Sequence, residues 1–245
     1  MKGLKVILVL TYVIIILLLL LSLKKCNNNA HTTIAIKEKF NADVVMCIDC
    51  TSSMSSIIGT IKNNALNFYP DIKKRCVEQG KEILSMRVKV IAFRDFCDEK
   101  PFEESSFYSF PEQEKEFKSY VHDLKDYGGG DEPERAYDAL SMAIQSNWSN
   151  NPNTRKVIIL WTDVPSHPLS GTANSGIRDF DELTSIWNTK LPKESKRLIM
   201  FAPSHVTWNI IENNWDNAKR HDVTTGGGLT DVDYNEILKT LSESI

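Results

Sequence analysis

Positive charge is in short supply in this chain. It carries 29 Lys and Arg against 32 Asp and Glu, a net charge of −3, and no Lys/Arg cluster is interleaved with aromatic residues. That excludes the basic, stacking surface by which proteins hold nucleic acid. Cysteine is scarce as well: Cys26, Cys47, Cys50, Cys76 and Cys97 make an odd set confined to the first half. Cys47 and Cys50 have the spacing of a redox pair, but Cys47 falls inside an apolar strand pattern and no second pair follows. Buried thiols are therefore expected, in place of a redox or zinc centre. No internal repeat is present. The chain also lacks Gly-Lys-Ser/Thr after its glycine-rich loop at 128–130, and the acids that follow would repel a phosphate, so a phosphate cradle is disfavoured.

Long hydrophobic runs are absent but for one. Val6 to Leu23 is interrupted only by Thr11, Tyr12 and Ser22, with Lys2 and Lys5 before it and Lys24 and Lys25 after it. A buried core helix would keep a polar face, and this run has none. Its length suits a single bilayer-crossing helix of about 20 residues better than a cleaved signal. Lys24 and Lys25 also stand where a lipid-attachment signal at Cys26 would need small residues. The expected organisation is an N-terminal transmembrane anchor at 1–25, a polar linker at 26–40 and one domain at 41–245. The flanking lysines do not set the orientation, and the simplest expectation is a single-pass membrane protein with an extracytoplasmic domain. Asn147-Trp148-Ser149 fits a glycosylation sequon.

Beyond residue 40, short apolar runs alternate with helical periodicity. Strands are expected at 42–49, 86–94, 155–162 and 197–202, with a weaker one at 221–224 and an edge strand at 107–110. Helices are expected at 54–78, 112–124, 132–146, 179–189, 206–217 and 231–245. This predicts an α/β fold, a doubly wound, mostly parallel sheet flanked by helices. Ligands of such sheets bind at the carboxyl ends of the strands, where Asp49, Asp95 and Asp163 all stand.

Asp49, Thr51 and Ser53 follow the run Val44 to Ile48 at i, i+2 and i+4, so a carboxylate and two hydroxyls can converge as the strand opens. Oxygen ligands with open positions suit Mg²⁺ or Mn²⁺. Thr and Ser after a strand also serve as helix caps, as Ser53 or Ser55 could ahead of Ile57, Ile58 and Ile61, and these residues alone leave both readings open. A second segment, Gly128 to Glu134, carries Pro133 and Glu134 where the first turn of a helix is expected.

Asp49-x-Thr51-x-Ser53, Asp131-x-Pro133-Glu134 and Thr162-Asp163, taken in order, resemble a von Willebrand factor A domain, with the Asp131–Glu134 element similar to that of integrin β subunits. The resemblance covers residues 42–245. It implies a metal-ion-dependent adhesion site of Asp49, Thr51, Ser53 and Glu134, with Asp163 acting through water. A neighbouring second metal would fall to Asp95, Asp131, the Pro133 carbonyl and Glu134, although Gly129 stands where relatives carry an amide ligand. Ser56 and Ile57 replace the paired aspartates of a third integrin site, which is expected to be absent.

The resemblance implies binding and not catalysis: a protein ligand presenting an acidic residue would complete the metal shell. Two alternatives stand beside it. One is a scaffold that binds without metal. The other is a phosphate-ester hydrolase using Asp49 as nucleophile, which would need a second Asp where Thr51 stands. His167 is expected on the site rim, loops 96–111 and 164–178 around it, and Trp148, Trp187, Trp208 and Trp215 in the core.

Overall fold

A computed structural model describes residues 35–64, 67–95, 98–129, 132–171, 176–230 and 232–245. The expected anchor at 1–25, residues 26–34 of the linker, and Asp131 lie outside them. Among the described residues no helix is long and apolar enough to cross a membrane.

Five parallel strands form the body of the sheet: β1 (Glu38–Asp49), β2 (Lys81–Phe93), β5 (Thr154–Trp161), β6 (Lys196–Ala202) and β7 (Ala218–Asp222). Two short strands, β3 (Phe102–Glu104) and β4 (Tyr108–Phe110), pair antiparallel with successive parts of β2. The order is β3-β2-β1-β5-β6-β7, with β4 also on β2. The chain thus builds outward from β1 in one direction and then, from β5, in the other. The point of reversal lies between β1 and β5, and in sheets of this kind it opens a crevice at the carboxyl ends.

The helices are α1 (Ser55–Asn64), α2 (Phe68–Glu78), α3 (Glu114–Asp123), α4 (Ala136–Ile144), α5 (Phe180–Lys190), α6 (Val206–Asn214) and α7 (Tyr234–Ser244), with a 3-10 turn at Ser52–Met54. The pleat of β1 shares them between two faces. Val44, Met46 and Ile48 pack with Ile57, Ile72, Phe117 and Ile237 of α1, α2, α3 and α7. Val45 and Cys47 pack with Leu140, Trp187 and Trp208 of α4, α5 and α6. All four tryptophans expected in the core are buried.

Several boundaries differ from expectation. β1 starts at Glu38, inside the stretch read as linker, β2 starts at Lys81 and β7 at Ala218; β3 was not expected. The helix expected over 54–78 is two helices. Pro70 has no N–H for a helix arriving from the amino side, but it is tolerated in the first turn of a new one. Asn64 Nδ2 also bonds back to the Thr60 carbonyl at 2.8 Å, at the C-terminal end of α1. The helix expected from 132 begins at Ala136. The Glu134 N–H donates to the Pro165 carbonyl (3.1 Å) and its carbonyl accepts from the His167 N–H (2.7 Å), so Pro133 and Glu134 belong to a loop bridge and not to a helical turn.

Candidate functional site

Asp49 closes β1 at the point of reversal and is fully buried. Its Oδ1 accepts from the Thr51 N–H (3.0 Å) and Thr51 Oγ1 (2.7 Å), and its Oδ2 accepts from Thr162 Oγ1 (2.8 Å). Thr51 Oγ1 lies 3.3 Å from Ser53 Oγ, which donates to Asp163 Oδ1 at 3.2 Å. Asp49, Thr51, Ser53 and Asp163 are therefore joined oxygen to oxygen. Thr51 precedes the 3-10 turn but makes no side-chain cap, and Ser53 turns to a carboxylate. The hydroxyls face acids, which decides against capping as their role.

Glu134 completes the wall. A Cβ placed on Gly129 would lie 2.9 Å from Thr51 Cβ and 3.2 Å from Glu134 Oε1, so the bare glycine separates that hydroxyl residue from that carboxylate. Thr51, Ser53, Gly129, Glu134, Val164 and Gly226 line one open cleft. Ser53 is exposed above buried Asp49, Glu134 and Asp163.

Burial raises the Asp49 carboxyl from 3.8 to about 6; the bonds from Thr51 and Thr162 oppose that rise, and the neighbouring Asp163 charge adds to it. A cation among these oxygens would relieve both burial and repulsion. Among the described residues no three His, Cys, Asp or Glu side chains form a ready-made cage. An ion here would be held by hydroxyls and carboxylates together, an all-oxygen set that fits a hard divalent cation.

Asp95 is brought to His167 instead: its Oδ1 lies 3.4 Å from Nε2 of that rim histidine. The second-metal reading also needs Asp131, outside the described residues. Several supports were not foreseen. The Gly228 N–H donates to Asp163 Oδ2 (2.7 Å) and the Gly226 N–H to the Asp163 carbonyl (2.9 Å), so the 226–228 loop holds Asp163 in place. The triple glycine at 226–228 was the one available signal. Asp98 Oδ2 accepts from the Asp95 N–H (3.1 Å) and lies 3.4 Å from the Gly129 nitrogen. Arg94, wholly buried, ties the loops together through the Lys100 carbonyl (3.0 Å), the Lys125 carbonyl (2.6 Å), Glu103 (2.9 Å) and the face of Tyr127.

Among the described residues the cysteines carry none of this chemistry. Cys47, Cys50 and Cys76 are free and buried. Cys47 and Cys50 belong to cores on opposite faces of the sheet. Burial pushes the thiol of Cys47 far up, that of Cys50 to about 12 and that of Cys76 to about 11, so all three stay protonated.

Residues 43–168, which include Asp49, Glu134 and Asp163, match the von Willebrand factor A domain family. The chain belongs to that family. An alpha-protein kinase of Dictyostelium discoideum, vwkA, is 25% identical over 146 residues, covering 59% of this chain and 22% of the kinase. Two structures of the pilus adhesin SpaC from Lactobacillus rhamnosus GG superpose at a TM-score of 0.50 with 12% and 13% identity, over 83% of this chain and 30% of the adhesin. At that identity the adhesins attest the fold alone. The chain spans about a fifth of the kinase and under a third of the adhesin. A domains are in general protein-interaction modules without catalytic activity, and this is the function the family match supports for this chain.

Proposed function

We propose that this A domain binds a protein partner through a divalent cation, Mg²⁺ or Mn²⁺, held at the β1–β5 crevice. The joined oxygens of Asp49, Thr51, Ser53 and Asp163, with Glu134 across Gly129, carry this reading. When bound, the ion supplies a positive position that an acidic side chain of the partner completes. Asp49 and Glu134 provide charge, Thr51 and Ser53 neutral oxygens, and Asp163 orients Ser53. The 226–228 loop fixes Asp163, and Arg94 holds the surrounding loops, so the oxygens are arranged before the ion arrives. His167 and the 164–171 loop border the cleft and meet the partner beside the ion. Turnover is not part of the proposal: Thr51 occupies the position where a phosphate-transferring Asp49 would need a second acid, and burial keeps Asp49 from acting as a ready nucleophile. The apolar run 6–23 tethers the domain to a membrane, with the domain outside the cytoplasm.

Calorimetric titration of the full chain with Mg²⁺ and Mn²⁺, beside Asp49→Ala, tests the site. Saturable binding in the wild type and none in the variant supports it. Metal-independent capture of a partner by Asp49→Ala would replace it with the scaffold reading.

A further inference from the structure

The parallel strands all begin at the edge opposite the Asp49 crevice. There a separate cleft is lined by Lys81, Arg155, Arg197 and Lys219, with Glu38 and Glu243 as its acidic side chains. Arg155 engages Glu38. Lys81 Nζ donates to the main-chain oxygens of Ser242 (3.0 Å) and Ile245 (2.9 Å), and Arg197 Nη1 to those of Glu194 (3.1 Å) and Lys196 (2.7 Å). The bonds of Arg197, to uncharged carbonyls, fix its guanidinium in position without neutralising it. Burial first, then the nearby Arg155 charge, lowers the proton affinity of Arg197, as expected where positive charge is crowded. Lys37 stands exposed at the same edge, beside the start of β1, with its N–H on the Gly80 carbonyl (2.8 Å).

At this edge Glu82 and Asp216 are paired with Lys39 and Lys193, whereas Asp49, Asp95, Asp98, Asp126, Glu134 and Asp163 gather at the other edge, so the net charge of −3 hides a polarity. The position of the basic edge matters as much as its sign. The chain enters β1 there, and 12 residues separate Leu23, the end of the apolar run, from Ile36, a span of at most about 40 Å. We propose that this basic edge rests on acidic lipid headgroups of the bilayer leaflet that faces the domain. The proposal rests on the membrane-tether reading above. Basic side chains are drawn to a bilayer surface in whichever leaflet acidic lipids lie, and the attraction fades within about 10 Å of that surface. At about 3.3 Å per residue, the 12 residues of β1 separate the Asp49 crevice from this edge by roughly 40 Å. The acidic edge then points away from a surface that would repel it.

The test uses the full chain in phosphatidylcholine vesicles and in vesicles that also contain phosphatidylserine. Amide hydrogen exchange is followed at residues 79–82, 191–197 and 215–219. The expected result is about tenfold slower exchange with phosphatidylserine, lost at high salt and in Lys37→Glu/Lys219→Glu, which alters two exposed side chains and leaves the core intact. Lys100→Glu, at the opposite edge, keeps the slowing. Equal exchange in both vesicles overturns the proposal, as does equal slowing by inorganic phosphate without vesicles, which would assign the cleft to a soluble anion. Alkaline extraction from phosphatidylcholine reads the tether separately. If it strips the chain, the tether fails. Flotation with phosphatidylserine vesicles, lost in the double variant, then still decides the basic edge.

Discussion

Gly228 lies so close to Ser53 that a Cβ on it would stand 2.1 Å from the Ser53 carbonyl oxygen, while its own N–H reaches Asp163 Oδ2 at 2.7 Å. Two ends of the site are thus set by one backbone position at φ +60°. Gly228→Ala should push the loop off Ser53 and lose the Asp163 bond, at a cost of about 2–3 kcal/mol. Gly226 has φ +64° but open space around a Cβ, so Gly226→Ala should cost only the backbone term, about 1 kcal/mol. Urea unfolding of both variants checks the difference.

Asp49 makes the stability of the metal-free domain depend on pH. Its folded value of about 6 lies above the free value of 3.8. Its contribution is therefore fully present below about pH 4 and is lost as the pH rises through about 6. The loss amounts to at most about 3 kcal/mol by neutrality. Asp49→Asn stays neutral and keeps an acceptor for Thr51. In chelator it should be more stable than the wild type at pH 7.5 and should converge with it near pH 4. A variant less stable than wild type at pH 7.5 would refute this account of the burial cost.

Arg94 is the hub of the loops around the crevice. Arg94→Met removes its donors to Lys100 and Lys125 and strands partly exposed Glu103; a cost of about 2–4 kcal/mol is expected. Arg94→Lys should recover only part of it, because an ammonium cannot span the same fork or stack on Tyr127 in the same way. Thermal melts, with Mg²⁺ affinity measured on the same samples, separate loss of stability from loss of site geometry.

Cys47, Cys50 and Cys76, buried and protonated, should resist a thiol reagent at pH 8 in a Cys26→Ser/Cys97→Ser background. Labelling should proceed at the rate of opening and accelerate in urea. Rapid labelling in native buffer would contradict the burial described.

What could be read in the sequence was local. Asp49, Thr51 and Ser53 declared themselves because their spacing follows from the pleat of one strand, and Asp163 because it follows the apolar run at 155–162. The doubly wound order followed from alternation of strand and helix patterns. The 226–228 loop was not legible: its bond to Asp163 spans 65 residues, and a glycine triplet does not name its partner. Asp98 likewise acts through a fold-back onto the Asp95 N–H. The loop character of Pro133 and Glu134 depends on their pairing with the strand-like stretch around Ser166, a tertiary contact that overrode a good helix-start signal. Pro70 stands in the first turn of α2, inside the stretch expected as one helix over 54–78, and the helical periodicity on either side outweighed its signal of a break.

β1 joins the two edges of the domain. It is bonded along 12 residues to β2 and along eight to β5, parallel on both sides. A load applied between Asp49 and Glu38, the two ends of β1, would run along the axis of that strand. Load in that direction shears both ladders at once and is shared by their hydrogen bonds, whereas peeling an edge strand breaks them one after another. The central strand is thus a tension member, and the crevice at its carboxyl end can be strained without opening the sheet from its border.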